Sequence, residues 1–129
     1  MVTDVHAHLM LGGVAKHKQD LLKTAERYGT SRFYISTIDG AEFPNEELID
    51  KDNKATADFV KEQPGLIKGY VYVNPRNANA MDVLRKGIEE QDMSGLKMWI
   101  ATYANDPLNF PIIEKMIGYN KPILFHTFV

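Results

Sequence analysis

Five short apolar runs punctuate the chain: MVTDVHAHL (1–9), RFYISTI (32–38), KGYVYVN (68–74), GLKMWIA (95–101) and KPILFHTFV (121–129). Each is rich in β-branched or aromatic residues, as strands are. The stretches between them carry helical periodicity. Over 14–28, Val14, Leu21, Leu22, Ala25 and Tyr28 share one face, and Gly29 is placed to terminate the helix. Over 52–63, Ala55, Phe59 and Val60 share a face, with Asp52 or Asn53 as the cap and Pro64-Gly65 as the stop. Over 78–91, Met81, Leu84 and Ile88 follow the i, i+3, i+7 rule. Over 110–118, Pro111 fits the first turn, and Ile112, Ile113, Met116 and Ile117 form the stripe to be buried.

The order is β-α-β-α-β-α-β-α-β, with one unit per roughly 30 residues, the size of a βαβ step. The expected class is α/β, a parallel sheet with helices packed outside it. The strands are nearly continuously apolar and are expected to be buried on both faces. Two architectures fit. One is a partial (β/α)8 TIM barrel of about five βα units, with residues 1–129 as a single domain from its N-terminal part. The other is an open five-stranded parallel sheet, doubly wound. A full barrel needs about 200 residues or more, and the last apolar run still continues at Phe128-Val129. The barrel reading therefore expects the remaining strands beyond the chain. Its outer strands would be bare edges, which invite a second copy or a partner. The segment 39–51 is expected to be a long acidic loop (Glu42, Glu46, Glu47) at the carboxyl end of a strand, where function collects.

Composition narrows the class. A net charge of −2 without a basic stripe argues against nucleic-acid binding. No run is long and apolar enough to span a membrane. The chain lacks cysteine, which removes disulfides and thiolate metal sites and fits a reducing cytoplasm.

The candidate chemistry lies in DVHAHL, residues 4–9. Residues two apart on a strand share a face, so Asp4, His6 and His8 line up opposite Val5, Ala7 and Leu9. Paired neutral imidazoles suit a divalent metal; a hydrogen-bonded histidine pair is the competing explanation. Parallel α/β folds gather functional groups at the carboxyl ends of strands. That rule brings His126 to the pair, with Asn74, Lys97 and Trp99 beside them. The competing readings make Lys97 an ion-pair partner, Trp99 a core residue, and Asn74 a turn former with Pro75. His17 is expected on the polar side of the first helix, in solvent.

These stretches together resemble the amidohydrolase superfamily: DVHAHL, GYVYVNPRN, GLKMWI and PILFHTFV, in that order. The nearest branch is the amidohydrolase-related one, which also holds metal-dependent decarboxylases. The resemblance covers essentially the whole chain but only the N-terminal part of the family's barrel. It implies that His6, His8 and His126 bind a metal. It implies that Lys97 stands where two-metal members carry a carboxylated lysine, although this branch generally uses one metal. It makes Asp4 a residue that orients an imidazole or packs beneath the site. The implied cofactor is one divalent metal, zinc by default, with iron or manganese as alternatives. The implied reaction is hydrolysis of a small amide, lactone or ester by metal-activated water. Tyr72, Asn74, Trp99 and the 39–51 loop would shape the substrate pocket.

The family also uses a histidine on strand 6 and an aspartate on strand 8, the latter handling the proton of the attacking water. Both are expected beyond residue 129, so the isolated chain is expected to lack its general base. Decarboxylation by the same branch is one alternative, and a non-catalytic metal-binding half-barrel is another. Histidinol-phosphatase-type phosphoesterases and metal-dependent deoxyribonucleases share a strand-1 His-x-His, but their further motifs are not evident.

Overall fold

A computed structural model describes residues 1–127. Phe128 and Val129, placed by the sequence pattern in the last strand, lie outside the described residues. The elements are β1 (Val2–Met10), α1 (Val14–Tyr28), β2 (Thr30–Ile38), α2 (Glu46–Glu62), β3 (Ile67–Val73), α3 (Ala80–Arg85), β4 (Gly95–Met98), α4 (Phe110–Tyr119) and β5 (Ile123–Phe125). All neighbouring strands pair in parallel, in the order β1-β2-β3-β4-β5.

This order decides between the two architectures. A doubly wound sheet reverses its strand order at a switch point; here each strand is added beside the last. The sheet is also curled. The first and fourth strands of a flat sheet lie about 14 Å apart. Yet Lys97 Nζ on β4 comes within 3.4 Å of His6 Nε2 on β1. The chain is a half-barrel, with helices on the convex side and a polar concave face.

The convex side holds the core. Leu9, Phe33, Ile35, Phe59, Val60 and Ile67 form one apolar cluster, against which Leu21, Leu22 and Ala25 of α1 pack. Val71, Val73, Leu84, Leu96, Met98, Ile112 and Met116 belong to a second, under α3 and α4. Gly29 ends α1 in the left-handed region (φ 66°), and its N–H donates to the Ala25 carbonyl. The stripes predicted at the helix ends overreach. Tyr28 and Ile117, in the last turns of their helices, are exposed.

Helix α2 begins six residues earlier than its periodicity suggested. Asn45 is the cap, its side-chain oxygen accepting from the Leu48 N–H at 3.0 Å, and Glu46 and Glu47 complement the first turn. The predicted 39–51 loop shrinks to 39–45. Asp52 and Asn53, read as caps, are instead buried against the sheet.

Their burial answers a gap in the sheet. β2 and β3 pair only from Phe33↔Ile67 to Ile35↔Gly69. Beyond that point Asn53 acts as a piece of strand. Its Oδ1 accepts from the Tyr72 N–H at 2.7 Å, and its Nδ2 donates to the Tyr72 carbonyl at 2.8 Å. Thr56 Oγ1 accepts from the Thr37 N–H at 2.9 Å. Buried backbone groups need such partners.

Three further expectations are adjusted. The helix foreseen over 78–91 turns from α to π geometry at Lys86–Glu90. There a side chain on Gly87 would come within 2.5 Å of Val71. β4 and β5 are shorter than their apolar runs, so Trp99 lies just past β4. β1 is an edge and largely exposed, with Val5 at 57 %, rather than buried on both faces.

Candidate metal-binding site

The concave face gathers the residues singled out in DVHAHL. Between Asp4↔Phe33 and Ala7↔Ile35, β1 holds one residue more than β2, a bulge. The bulge interrupts simple alternation at Val5. Asp4 consequently accepts the His6 backbone N–H at 2.9 Å, fixing the backbone under that histidine rather than touching its ring. Past the bulge, Ala7 and Leu9 face the helices, and His6 and His8 face inward.

The two imidazoles meet edge to face, with Nε2 atoms 3.0 Å apart. The partners determine which nitrogens carry hydrogen. His8 Nδ1 lies 3.2 Å from the Ser36 carbonyl and 3.0 Å from its hydroxyl. A carbonyl only accepts, so Nδ1 carries the hydrogen and Nε2 presents a lone pair. Lys97 Nζ stands 3.4 Å from His6 Nε2. The shorter 3.0 Å contact between the two Nε2 atoms is of hydrogen-bond length, so a hydrogen on His6 Nε2 is donated to His8 Nε2; moving that hydrogen to Nδ1 frees both Nε2 atoms for a cation.

Charge and burial keep the rings neutral. Burial pushes His8 down to about 4, with the Ser36 carbonyl opposing and Lys97 assisting. Burial, then the charges of Lys97 and His126, lower His6, while Asp4 works the other way. Lys97 is fully buried, and that burial lowers it to about 8. Its ammonium also lies 5.3 Å from the centre of the Trp99 ring.

His126 follows β5. Its N–H donates to the Met98 carbonyl at 2.9 Å, and its ring stacks on Trp99 with centres 4.0 Å apart. Burial and Lys97 lower its pKa. Trp99 stands between the histidines, 6.5 Å from His8. Among the described residues no three histidine or acidic side chains are already drawn close enough to hold an ion.

A half-open cavity of about 310 Å³ adjoins His126, walled by Ile100, Thr102, Tyr103, Asn105 and Phe125. Tyr72 and Asn74 do not line it. Tyr72 is core, packed with Ile38 and Ile49 against Trp99. Asn74 ties down the loop before α2 by donating to the Pro44 carbonyl at 2.8 Å. His17 is half-buried rather than free in solvent, and its Nδ1 accepts from the Met10 N–H at 3.0 Å. Ser36 went unnoticed in the sequence; only the β1–β2 register, which pairs it with His8, singles it out.

No protein-family profile matches the chain, and no curated protein matches it. Solved structures do share its fold. One described as an amidohydrolase II superposes with a TM-score of 0.82 at 12% identity, covering 98% of this chain and 50% of that one. A 5-carboxyvanillate decarboxylase from Novosphingobium aromaticivorans, with bound manganese, gives 0.78 at 11%, covering 98% and 50%. A 2,6-dihydroxybenzoate decarboxylase from Rhizobium gives 0.75 at 14%, covering 97% and 49%. These neighbours are amidohydrolase-superfamily proteins, and this chain has the fold of part of their barrel. It spans about half of their length. Among the described residues no helix is long and apolar enough to cross a membrane.

The fold family implies a divalent metal, and the concave face suits one. Its donors are neutral imidazoles, the His8 ring is oriented by a carbonyl behind it, and the two Nε2 atoms converge.

Proposed function

We propose that this chain is the metal-binding half of an amidohydrolase-type enzyme. His6, His8 and His126 would hold one divalent metal, with zinc as our choice. The observation that carries the reading is the 3.0 Å approach of the His6 and His8 Nε2 atoms. When bound, such a metal polarises a carbonyl oxygen and makes hydroxide available at neutral pH. The chain's own residues supply the setting. Ser36 fixes the His8 ring, and Asp4 fixes the His6 backbone. Lys97, an ammonium at neutral pH, offers positive charge to an oxyanion forming on the substrate. The cavity beside His126 admits a small molecule, and the substrate class we assign is a small amide, lactone or ester.

Decarboxylation is the second reading. It is favoured by the decarboxylases among the fold neighbours, several of which carry manganese. The bare edge of β1 supports a further proposal, that a second β/α half, on another copy or partner, covers it.

The test is calorimetric titration of the 129-residue chain with Zn²⁺ and Mn²⁺, beside His6→Ala and His8→Ala. Stoichiometric binding lost in both variants supports the site. Binding unchanged by either substitution would falsify it. Turnover of lactones against dihydroxybenzoates then separates the two reactions.

A further inference from the structure

The three histidines of the concave face are not equally ready for a metal. Nitrogens bound to a tetrahedral zinc lie about 3.3 Å from one another, as bond lengths of roughly 2.0–2.1 Å require. The Nε2 atoms of His6 and His8, 3.0 Å apart, already stand near that spacing. Ser36 holds the His8 ring from behind. His126 is not yet in place, since among the described residues no three histidine or acidic side chains are grouped closely enough to hold an ion.

Trp99 accounts for the separation. Met98 pairs with Phe125, and the His126 N–H donates to the Met98 carbonyl at 2.9 Å. The residues that follow, Trp99 and His126, are therefore neighbours across the two strands. Met98 and Phe125 pack under the helices, which turns Trp99 and His126 to the concave side. There the imidazole stacks on the indole, with centres 4.0 Å apart and planes tilted by 39°. Trp99 is itself packed against Ile38, Ile49 and Tyr72, and it meets His8 edge to face at 6.5 Å. The indole is a braced wedge between the His8 and His126 rings. The His126 ring has room to turn, because it borders the half-open cavity of about 310 Å³.

We propose that Trp99 is a positioning residue for the third metal ligand: it stores the His126 ring outside the site, and a divalent cation taken up by His6 and His8 draws that ring off the indole. This role rests on the reading of the three histidines as ligands. The His126 backbone stays in the sheet, so the movement is confined to side-chain torsions. Because the same ring walls the cavity, uptake of the metal reshapes the space beside it. Leaving the stack opposes binding by about two- to tenfold, the factor that one aromatic pair carries.

Proton NMR tests this on the 129-residue chain, in which Trp99 is the single tryptophan. Nuclear Overhauser contacts between the His126 and Trp99 ring protons report the stack directly. They are expected in the metal-free chain and expected to vanish with one equivalent of Zn²⁺ at fixed pH. By calorimetry, Trp99→Leu is expected to bind Zn²⁺ about two- to tenfold more tightly, and Trp99→Phe, which restores a ring to stack on, is expected to return towards the wild-type affinity. Zinc bound with the contacts intact overturns the proposal and leaves the His6–His8 pair as the site. Contacts absent from the metal-free chain overturn it too, as does unchanged or weakened binding in Trp99→Leu, the result of a merely structural role. Absence of zinc binding by the wild-type chain sinks the reading of the histidines, and this role with it. Should Trp99→Leu not fold, the wild-type contacts decide.

Discussion

Lys97 and His6 stand three strands apart, and their side-chain nitrogens lie 3.4 Å from each other. Only a curled sheet allows this. Lys97 thereby becomes the positive charge that faces all three inward histidines, lowering His6, His8 and His126. Replacing it with an apolar side chain of similar length removes that charge. In Lys97→Met, all three imidazole pKa values are expected to rise, His8 from a starting point of about 4. NMR titration of the histidine ring protons in metal-free buffer reads the change. Unmoved histidines would show that Lys97 does not set their charge.

Much of this arrangement was legible in the residues themselves. The apolar runs located all five strands, and the His-x-His spacing identified the inward face of β1. What was illegible depends on contacts between distant elements. The bulge before His6 arises from the β1–β2 register, which no local pattern encodes. Asp52 and Asn53 carry the side chains of a helix cap, and only the parting of β2 from β3 gives them buried roles. Pro44-Asn45-Glu46 was the better start signal, since it pairs a capping side chain with acidic residues in the first turn. His17 looked solvent-facing because its partner is a backbone N–H, which any residue can provide.

Asn53 offers a clean test of the sheet gap. It satisfies both backbone groups of Tyr72 inside the protein. Asn53→Ala leaves a buried N–H and a buried carbonyl unpaired, at a cost of roughly 1–3 kcal/mol for each. A fall in urea-unfolding stability of about 2–6 kcal/mol is expected. Asn53→Asp, whose protonated carboxyl at low pH keeps one acceptor and one O–H donor, is expected to stay closer to wild type than Asn53→Ala there. A loss below about 0.5 kcal/mol in Asn53→Ala, the scale of an ordinary surface change, would mean that water fills the gap.

Asp52 makes stability depend on pH in a direction unusual for an acid. Burial, and then the Asp39 charge, raise it from 3.8 to about 7. Between about pH 4 and 7 the folded chain keeps a proton that the unfolded chain has released. The contribution of this group therefore declines as pH rises through that window and is flat above it. Asp52→Asn removes the dependence. Its gain over wild type is expected to be near zero at pH 4 and to reach at most about 4 kcal/mol at pH 8. Urea unfolding at the two pH values measures it, and an equal difference at both would contradict the raised pKa.

The close approach of α3 to β3 is the last relationship to test, and it is steric. Gly87 lies where the helix passes into π geometry, over Val71. A Cβ there would sit 2.5 Å from Val71 Cγ2 and 2.6 Å from its Cβ, closer than any packed pair tolerates. Both residues are buried, so the helix must lift or Val71 must strain. Gly87→Ala is expected to cost about 1–3 kcal/mol, as overpacking does, although alanine is the better helix former. Val71→Ala alone opens a cavity and costs roughly 1–2 kcal/mol. Combined, the two substitutions remove the overlap with the Val71 methyls but leave its Cβ 2.6 Å from the new one, so the double variant recovers only part of the single losses and should be somewhat more stable than their sum predicts. A coupling of about 1 kcal/mol in a double-mutant cycle, within the range for residues in contact, confirms that Val71 sets the demand for glycine. Strict additivity would show that the glycine answers to the π turn itself.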